Sequence, residues 1–250
     1  MARFAPATEL TKLPGVNRFV WELRYPPPAS LPYSYYGELL EYTEYTLADH
    51  SIPSLTPRQQ LRGPRIVPGK YTVELAYGDD TAHTLRQPLT VDVDPRVHAS
   101  REDLLQQRDL ALEITRGMKS SYDSFQQVVA FDKALAERKK GLQTDDAEAK
   151  KAFEQLDKKI DAFKKGTKTA PGFGPVNRDF GRLLFSVENA DMRPAQAVQS
   201  AVQQLCEALV KNLADWRQFN EQDFSPLAKT ADSKLSALPR IVVVTGGCKN

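Results

Sequence analysis

The three histidines are the side chains of this chain best suited to metal or acid–base chemistry. His50, His83 and His98 lie far apart, and none has the spacing of a helical metal motif such as HExxH. We also find no nucleophile elbow, phosphate-binding loop or dinucleotide fingerprint. The histidines are therefore interpreted as solvated loop or turn residues. The sequence predicts no catalytic residue, no metal site and no cofactor.

A second group that could do chemistry is the acidic set Glu38, Glu41 and Glu44. Paired carboxylates hydrolyse glycosidic bonds when they flank the bond and one of them holds a raised pKa. Nothing in the sequence indicates that these side chains converge or that any is desolvated. Surface carboxylates are the favoured interpretation, and a glycosidase is the least supported function.

The best binding candidates are aromatic. Six of the nine tyrosines fall between Tyr25 and Tyr45. Flat aromatic rings can stack on sugars or anchor a protein interface. The alternative is that this stretch needs aromatic side chains to fold onto its neighbours. The candidate binding residues are Tyr33, Tyr35, Tyr36, Tyr42 and Tyr45.

The distribution of proline divides the chain near residue 98. Of 17 prolines, most crowd residues 6–95, and none lies between Ala99 and Lys165. Because proline interrupts helices and favours turns and sheet edges, the first part is predicted to be strands and the second helices. We predict a β domain at 1–97 with a long tyrosine-rich insertion at about 26–68. A helical domain at 98–240 and a tail at 241–250 follow.

The strand prediction rests on alternating apolar residues. Alternation occurs in Asn17–Tyr25, in Lys70–Tyr77, and in a return strand in which Leu89, Val91 and Val93 share a face. Gly78-Asp79-Asp80 is a turn signal between the last two. Such strands, joined by tight turns, predict an antiparallel sheet and, most often, a β-sandwich.

Four amphipathic helices are predicted after the boundary. Apolar residues recur every three or four positions, and short connections favour an antiparallel bundle. Ser100 with Asp103 resembles a capping box at the start of the first helix, and Gly172-Phe173-Gly174-Pro175 is interpreted as a loop. The predicted helices are about 100–138, 145–165, 176–190 and 194–221. The apolar stripe predicted for the first helix is Leu110, Ile114, Met118, Tyr122, Phe125 and Val129. The stripe predicted for the second helix is Ala149, Phe153, Leu156, Ile160 and Phe163.

Composition restricts the function classes further. The net charge of +2 and the mixing of lysine pairs with acidic residues argue against a nucleic-acid partner. No apolar run approaches the roughly 18 residues of a membrane span, and the first residues do not resemble a signal peptide. Cys206 lies on an apolar helix face and is interpreted as a buried inert thiol, and Cys248 as part of a frayed tail. A disulfide between the two is the open alternative, although no feature of the sequence requires it. Trp21 and Trp216 are interpreted as core residues.

Two strings in the β part resemble a known family. They are Pro14-Gly15-Val16-Asn17-Arg18-Phe19-Val20-Trp21 and Pro68-Gly69-Lys70-Tyr71-Thr72-Val73. They resemble the Ig-like module of flagellar-hook-cap type. With Gln87-Pro88-Leu89-Thr90-Val91 they are similar to the C-terminal region of large bacterial sortilin-like BNR-repeat proteins, often labelled glycosyl-hydrolase-like. In those proteins a helical segment similar to residues 100–236 follows.

The resemblance implies an α+β protein by segregated domains, with an Ig-like antiparallel β-sandwich followed by an α-helical bundle. It implies a periplasmic or secreted parent and a non-catalytic accessory role. Only fourteen residues precede Gly15, so the sandwich is expected to be incomplete and to present an open edge or an apolar face. The expected partner is an upstream propeller domain or another subunit. Carbohydrate, bound through the tyrosines, is the alternative.

Overall fold

The protein combines a small sheet with helices. A computed structural model describes residues 13–31, 62–77, 83–140, 147–224 and 247–248. Within these residues it has a two-stranded antiparallel sheet and four α-helices. The predicted mixed α+β class is confirmed at this level.

The sheet is a hairpin. Strand β1 runs from Gly69 to Tyr77 and strand β2 from His83 to Val91, paired from Gly69↔Val91 to Tyr77↔His83. This confirms the strand predicted for Lys70–Tyr77 and its antiparallel return. Val93 lies beyond the end of β2, and the predicted turn at 78–80 lies outside the described residues. Because opposite residues share a face, the odd-numbered residues of both strands lie together.

The strand predicted for Asn17–Tyr25 is wrong in this structure. Only Arg24 forms a bridge, to Arg65, and the residues before it belong to no strand. Leu23 has a φ of +57°, which is rare for a bulky residue and interrupts the extended backbone. Phe19 is 51% exposed, so no second layer covers its ring.

The helices begin close to the predicted positions. Ser100 caps the first of them as predicted: its Oγ accepts a hydrogen bond from the Asp103 N–H at 3.1 Å, and the Asp103 carboxylate accepts one from the Ser100 N–H. The four helices are α1 Arg101–Lys140, α2 Ala147–Lys165, α3 Phe173–Glu188 and α4 Gln196–Gln218, with a π-helical turn at Phe219–Phe224.

One predicted loop belongs to a helix. Residues Phe173, Gly174 and Pro175 form the first turn of α3 instead of a connection. Proline is tolerated there because the first helical N–H groups have no intrahelical acceptor. Phe173 is fully buried, so its contribution to the core favours the longer helix.

The core lies between the helices, where α1 packs against α2, α3 and α4. The apolar stripe predicted for α2 is confirmed at Phe153, Leu156 and Ile160, and Trp216 is a core residue as predicted. Trp21 is only half-buried. An aromatic cluster fills the centre, with Phe163 4.9 Å and Phe131 6.2 Å from the Trp216 ring.

A disulfide joins Cys206 of α4 to Cys248. The interpretation of Cys206 as an inert thiol is therefore wrong, as is the frayed environment predicted for Cys248, which is 2% exposed. The Cys248 carbonyl accepts a hydrogen bond from Arg116 Nε of α1 at 2.8 Å. The pairing depends on tertiary contacts that bring the tail onto α1 and α4, which no spacing in the sequence reveals.

Across the described ranges, no helix combines the length and the apolar character that a bilayer crossing requires.

Candidate docking surface

The hairpin carries an apolar face that lies in solvent. Val73, Leu75 and Tyr77 of β1 and Leu85 of β2 share this face through the antiparallel register. Their side chains are 47–58% exposed. We call these four residues the hairpin face. The opposite face carries polar and charged residues such as Thr72, and the Glu74–Arg86 pair links the two strands there at 3.0 Å.

The base of the hairpin is packed, in contrast to its tip. Ile66 and Val67 are buried, and the Tyr71 hydroxyl donates to the Val67 carbonyl. Trp21 lies edge-on to Tyr71 with 6.3 Å between ring centroids, and its Nε1 donates to the Arg24 carbonyl at 2.8 Å. The hairpin face therefore projects from a fixed base.

A cluster of charged residues connects the base of the hairpin to the end of α3. Arg24 Nη1 donates to Glu188 Oε2 at 2.8 Å and to the Gly63 carbonyl at 2.8 Å. The Arg65 N–H donates to the same Glu188 oxygen at 3.2 Å, and its guanidinium pairs with Asp191. Because Glu188 and Arg24 are largely buried, with side chains 11% and 16% exposed, this cluster fixes the hairpin base on the helices.

A buried amide holds the residues that lead away from Tyr25. Asn177 of α3 accepts a hydrogen bond from the Leu31 N–H at 2.8 Å and donates to the Ala29 carbonyl at 3.3 Å. It also donates to the Met118 carbonyl and to Ser121 Oγ of α1. One side chain thus joins the N-terminal segment to two helices, and all its polar atoms have partners.

A cleft of about 370 Å³ lies between the hairpin base and α1. Its walls mix Arg24, Arg65 and Arg108 with Glu188 and Asp191, and several of these charges already pair with each other. Burial raises the pKa of the nearby Tyr25 phenol, and the Arg108 guanidinium partly offsets that rise. The cleft has no cluster of like charges that would select an anion or a cation.

Most of the binding and catalytic candidates from the sequence lie outside the described residues. Tyr33, Tyr35, Tyr36, Tyr42 and Tyr45 lie outside the described residues, as do His50 and the three glutamates Glu38, Glu41 and Glu44. They stay predictions. His83 stacks on Tyr77 at 5.2 Å, and His98 is exposed. Among the described residues, no three His, Cys, Asp or Glu side chains are arranged to hold a metal ion.

The sequence predicts an open edge or an apolar face on an incomplete sandwich, but it does not identify the residues of the hairpin face as a site. Alternating Tyr71, Val73, Leu75 and Tyr77 are typical of a strand with one buried face. Only the exposure of this face shows that it is available to a partner.

No family model, curated protein or solved structure matches this chain. The resemblance to the Ig-like module of BNR-repeat proteins therefore stays a prediction.

Proposed function

We propose that this chain is a non-catalytic accessory module that docks through the hairpin face onto a β-sheet of a neighbouring domain or subunit. The observation that carries the proposal is the exposure of Val73, Leu75, Tyr77 and Leu85 on a hairpin with a fixed base. A contiguous apolar patch on an ordered element typically marks an interaction site.

The partner's chemistry follows from the hairpin. An isolated two-stranded hairpin is marginally stable in water, and a sheet with one apolar face is normally covered by a second layer. A sheet with its own alternating apolar face fits such a surface. The Ig-like sandwich that the sequence resembles would be completed in this way, by an upstream propeller domain or by another subunit.

The disulfide supports the periplasmic or secreted location that we propose. Both cysteines of the chain are paired and buried, so no free thiol is left. Disulfides of this kind form in oxidising compartments and are rare in the cytosol.

The docking function can be tested by site-specific photo-crosslinking in the producing cell. A photoreactive side chain is placed at Leu85 on the hairpin face or, as the matched control, at Arg86 on the opposite face of the same strand. Adducts from Leu85 should map to strand residues of one polypeptide and be absent from Arg86. Equal adducts from both positions would argue against docking.

The captured polypeptide is then purified and titrated against the wild-type chain and Leu75→Lys. Placing a charge in a desolvated apolar contact should weaken binding by at least about tenfold. Thr72→Lys on the polar face is the control and should bind as the wild type does. Unchanged affinity of Leu75→Lys would exclude the hairpin face as the contact.

A further inference from the structure

The disulfide has a carboxylate beside one of its two sulfurs. Glu113 of α1 is half-buried, and its Oε1 lies 3.9 Å from Cys206 Sγ. Within the described ranges, no lysine or arginine forms an ion pair with Glu113. A sulfur in a disulfide carries no hydrogen to donate to this carboxylate, whereas a thiol does. The contact between Glu113 and Cys206 therefore suits the reduced cysteine better than the oxidised one.

A positive charge lies at the other cysteine. Arg116, nearly one turn after Glu113 on α1, donates from Nε to the Cys248 carbonyl at 2.8 Å. A guanidinium close to a cysteine stabilises its thiolate. The two cysteines thus have opposite surroundings, because Cys206 has a proton acceptor beside it and Cys248 a positive charge. When the bond between them breaks, Cys248 is the sulfur better able to leave as an anion.

Access and attachment distinguish the two cysteines in the same direction. Cys206 is 8% exposed and Cys248 is 2% exposed, so Cys206 is the easier one for a second molecule to reach. Cys248 Sγ packs at Gly117 of α1, where an added Cβ would lie 3.0 Å from it. The neighbouring Gly247 contacts α1 through its carbonyl, 3.4 Å from Ser120 Oγ. Attack at Cys206 lets Cys248 move away, whereas attack at Cys248 requires entry between packed groups.

We propose that Cys206–Cys248 is a reversible thiol–disulfide site that exchanges with a dithiol reductant and that Glu113 carries the proton in this exchange. One thiol of the reductant transfers its proton to Glu113, and its sulfur attacks Cys206 Sγ. A bond forms between these two sulfurs, the bond between Cys206 and Cys248 breaks, and Cys248 leaves as a thiolate on the side of Arg116.

The second thiol of the reductant completes the exchange. It loses its proton to water and attacks the reductant's own sulfur in the mixed disulfide. Cys206 leaves and takes the proton from Glu113, so that the Cys206 thiol ends hydrogen-bonded to this carboxylate, while water supplies the proton of the Cys248 thiol. Two electrons pass to the protein, and the reductant ends as a disulfide.

Reduction changes how the end of the described chain is held. Without the covalent bond, Gly247 and Cys248 are attached to α1 by the hydrogen bonds of Arg116 and Ser120, of which the second is long. The aromatic cluster around Trp216 does not involve either cysteine, so the helices stay folded. The site therefore releases Gly247 and Cys248 from α1, and this role does not depend on docking through the hairpin face.

The rate of reduction tests the role of Glu113. The oxidised full chain is treated with dithiothreitol in native buffer, and alkylated thiols are counted by mass spectrometry. Glu113→Gln keeps the size of the side chain but accepts no proton, so the rate constant should fall about tenfold. A purely structural contact predicts the opposite, because a loosened Cys248 would react faster. Glu102→Gln, at the start of α1, is the control and should react as the wild type does. An equal or faster rate in Glu113→Gln would overturn the proposal.

The position of the first adduct tests the order of the steps. The chain is exposed briefly to reduced glutathione, and a maleimide then caps the sulfur that has been released. Peptide mapping should find glutathione on Cys206 and the maleimide on Cys248, with at least about a fivefold excess over the reverse arrangement. Glutathione mainly on Cys248 would overturn the assignment of Glu113, which lies beside the other sulfur.

Reversibility is the last requirement. The reduced wild type should keep the far-ultraviolet circular dichroism of the oxidised chain, and oxidised glutathione should restore the bond without denaturant. A disulfide that is reduced only in denaturant, or whose reduction abolishes the helical signal, would be purely structural and would overturn the proposal.

Discussion

Two serines on α1 differ in their hydrogen bonding although both are fully buried. Ser121 Oγ donates to backbone carbonyls of the preceding turn, Gly117 at 2.8 Å and Met118 at 3.0 Å, and accepts from Asn177 Nδ2. Ser124 Oγ is the one buried side-chain oxygen without a partner in the part of the chain that the structure describes. A buried hydroxyl without a partner has lost its hydrogen bonds to water and gained none in the protein, which destabilises the fold.

The pair allows a matched prediction. Ser124→Ala should raise the free energy of unfolding by up to about 1 kcal/mol, because it removes an unsatisfied oxygen and improves helix propensity. Ser121→Ala should lower it by about 1 kcal/mol, because it removes the buried hydrogen bond between Asn177 Nδ2 and Ser121 Oγ. Urea unfolding followed by circular dichroism measures both. Equal effects of the two changes would contradict the hydrogen-bond assignment.

These serines also show where sequence reasoning about α1 failed. The apolar stripe correctly predicted Ile114 and Met118 as buried, yet it included Val129, which is 37% exposed. The buried face continues instead through Ser121, Ser124 and Val128. Serine on a helix is typically solvated. Ser121 can be buried because its Oγ donates to the preceding turn and accepts a hydrogen bond from Asn177 of α3.

At the scale of elements, the disulfide holds the tail against α1 and α4. Gly117 makes this possible: a Cβ there would lie 2.6 Å from Phe180 Cζ and 3.0 Å from Cys248 Sγ. The absent side chain lets α3 and the tail both approach α1 closely. The disulfide closes a separation of 42 residues, so it restricts the unfolded chain strongly.

Replacing both cysteines should therefore destabilise the helices. We expect Cys206→Ala with Cys248→Ala to lower the free energy of unfolding by about 2–4 kcal/mol. Guanidinium unfolding with and without reductant is the measurement. The wild type in reductant should match the double variant, and the double variant should not respond to reductant. A wild type with the same midpoint in both conditions would show that the disulfide does not stabilise the fold.

Elements differed in how well the sequence predicted them. The apolar stripe of α2, which includes Phe153, Leu156 and Ile160, predicts this helix correctly. The alternation in 70–77 predicts the first hairpin strand correctly. Both patterns are local in sequence, so no distant residue is needed to interpret them. Asn17–Tyr25 has the same alternation yet forms no strand, because pairing is decided by Leu23 and by distant residues. An open apolar face could be expected from the incomplete sandwich, but the residues that form it could not be identified, because their exposure depends on the whole fold.

For the whole molecule, two groups predict a loss of stability at alkaline pH. Burial raises the pKa of the Tyr25 phenol. Burial acts to lower the pKa of Lys164. The hydrogen bond of Lys164 Nζ to Asp132 at 2.7 Å and the attraction to Asp132 and Asp161 outweigh the effect of burial, so the pKa of Lys164 is raised. A group whose pKa is raised by folding stabilises the fold below its unfolded pKa, and that contribution is lost as the pH rises.

Stability should therefore fall as the pH rises above about 10, where unfolded tyrosine and lysine titrate. Tyr25→Phe and Lys164→Met should each make the fall shallower, and the two together more so. Thermal unfolding measured at intervals from pH 8 to 11 gives the slope. A double variant with the slope of the wild type would assign the alkaline loss to other groups.

The connection between the hairpin and the helices depends on Glu188, which receives Arg24 and the Arg65 backbone together. Glu188→Gln keeps an acceptor but leaves the Arg24 guanidinium largely buried without its counter-charge. We expect a loss of roughly 2–4 kcal/mol in the free energy of unfolding. The exposed Arg62–Glu22 pair, at 3.7 Å, offers the matched control, and Glu22→Gln should cost less than about 1 kcal/mol.

Hydrogen exchange separates a loss of attachment from general destabilisation. If Glu188 fixes the hairpin base, amides of β1 and β2 should exchange faster in Glu188→Gln, while the centre of α1 keeps its protection relative to the global stability. Uniform acceleration across β1, β2 and α1 would mean that the cluster contributes only to the fold. The hairpin face would then project from a base held by the buried Ile66 and Val67 instead.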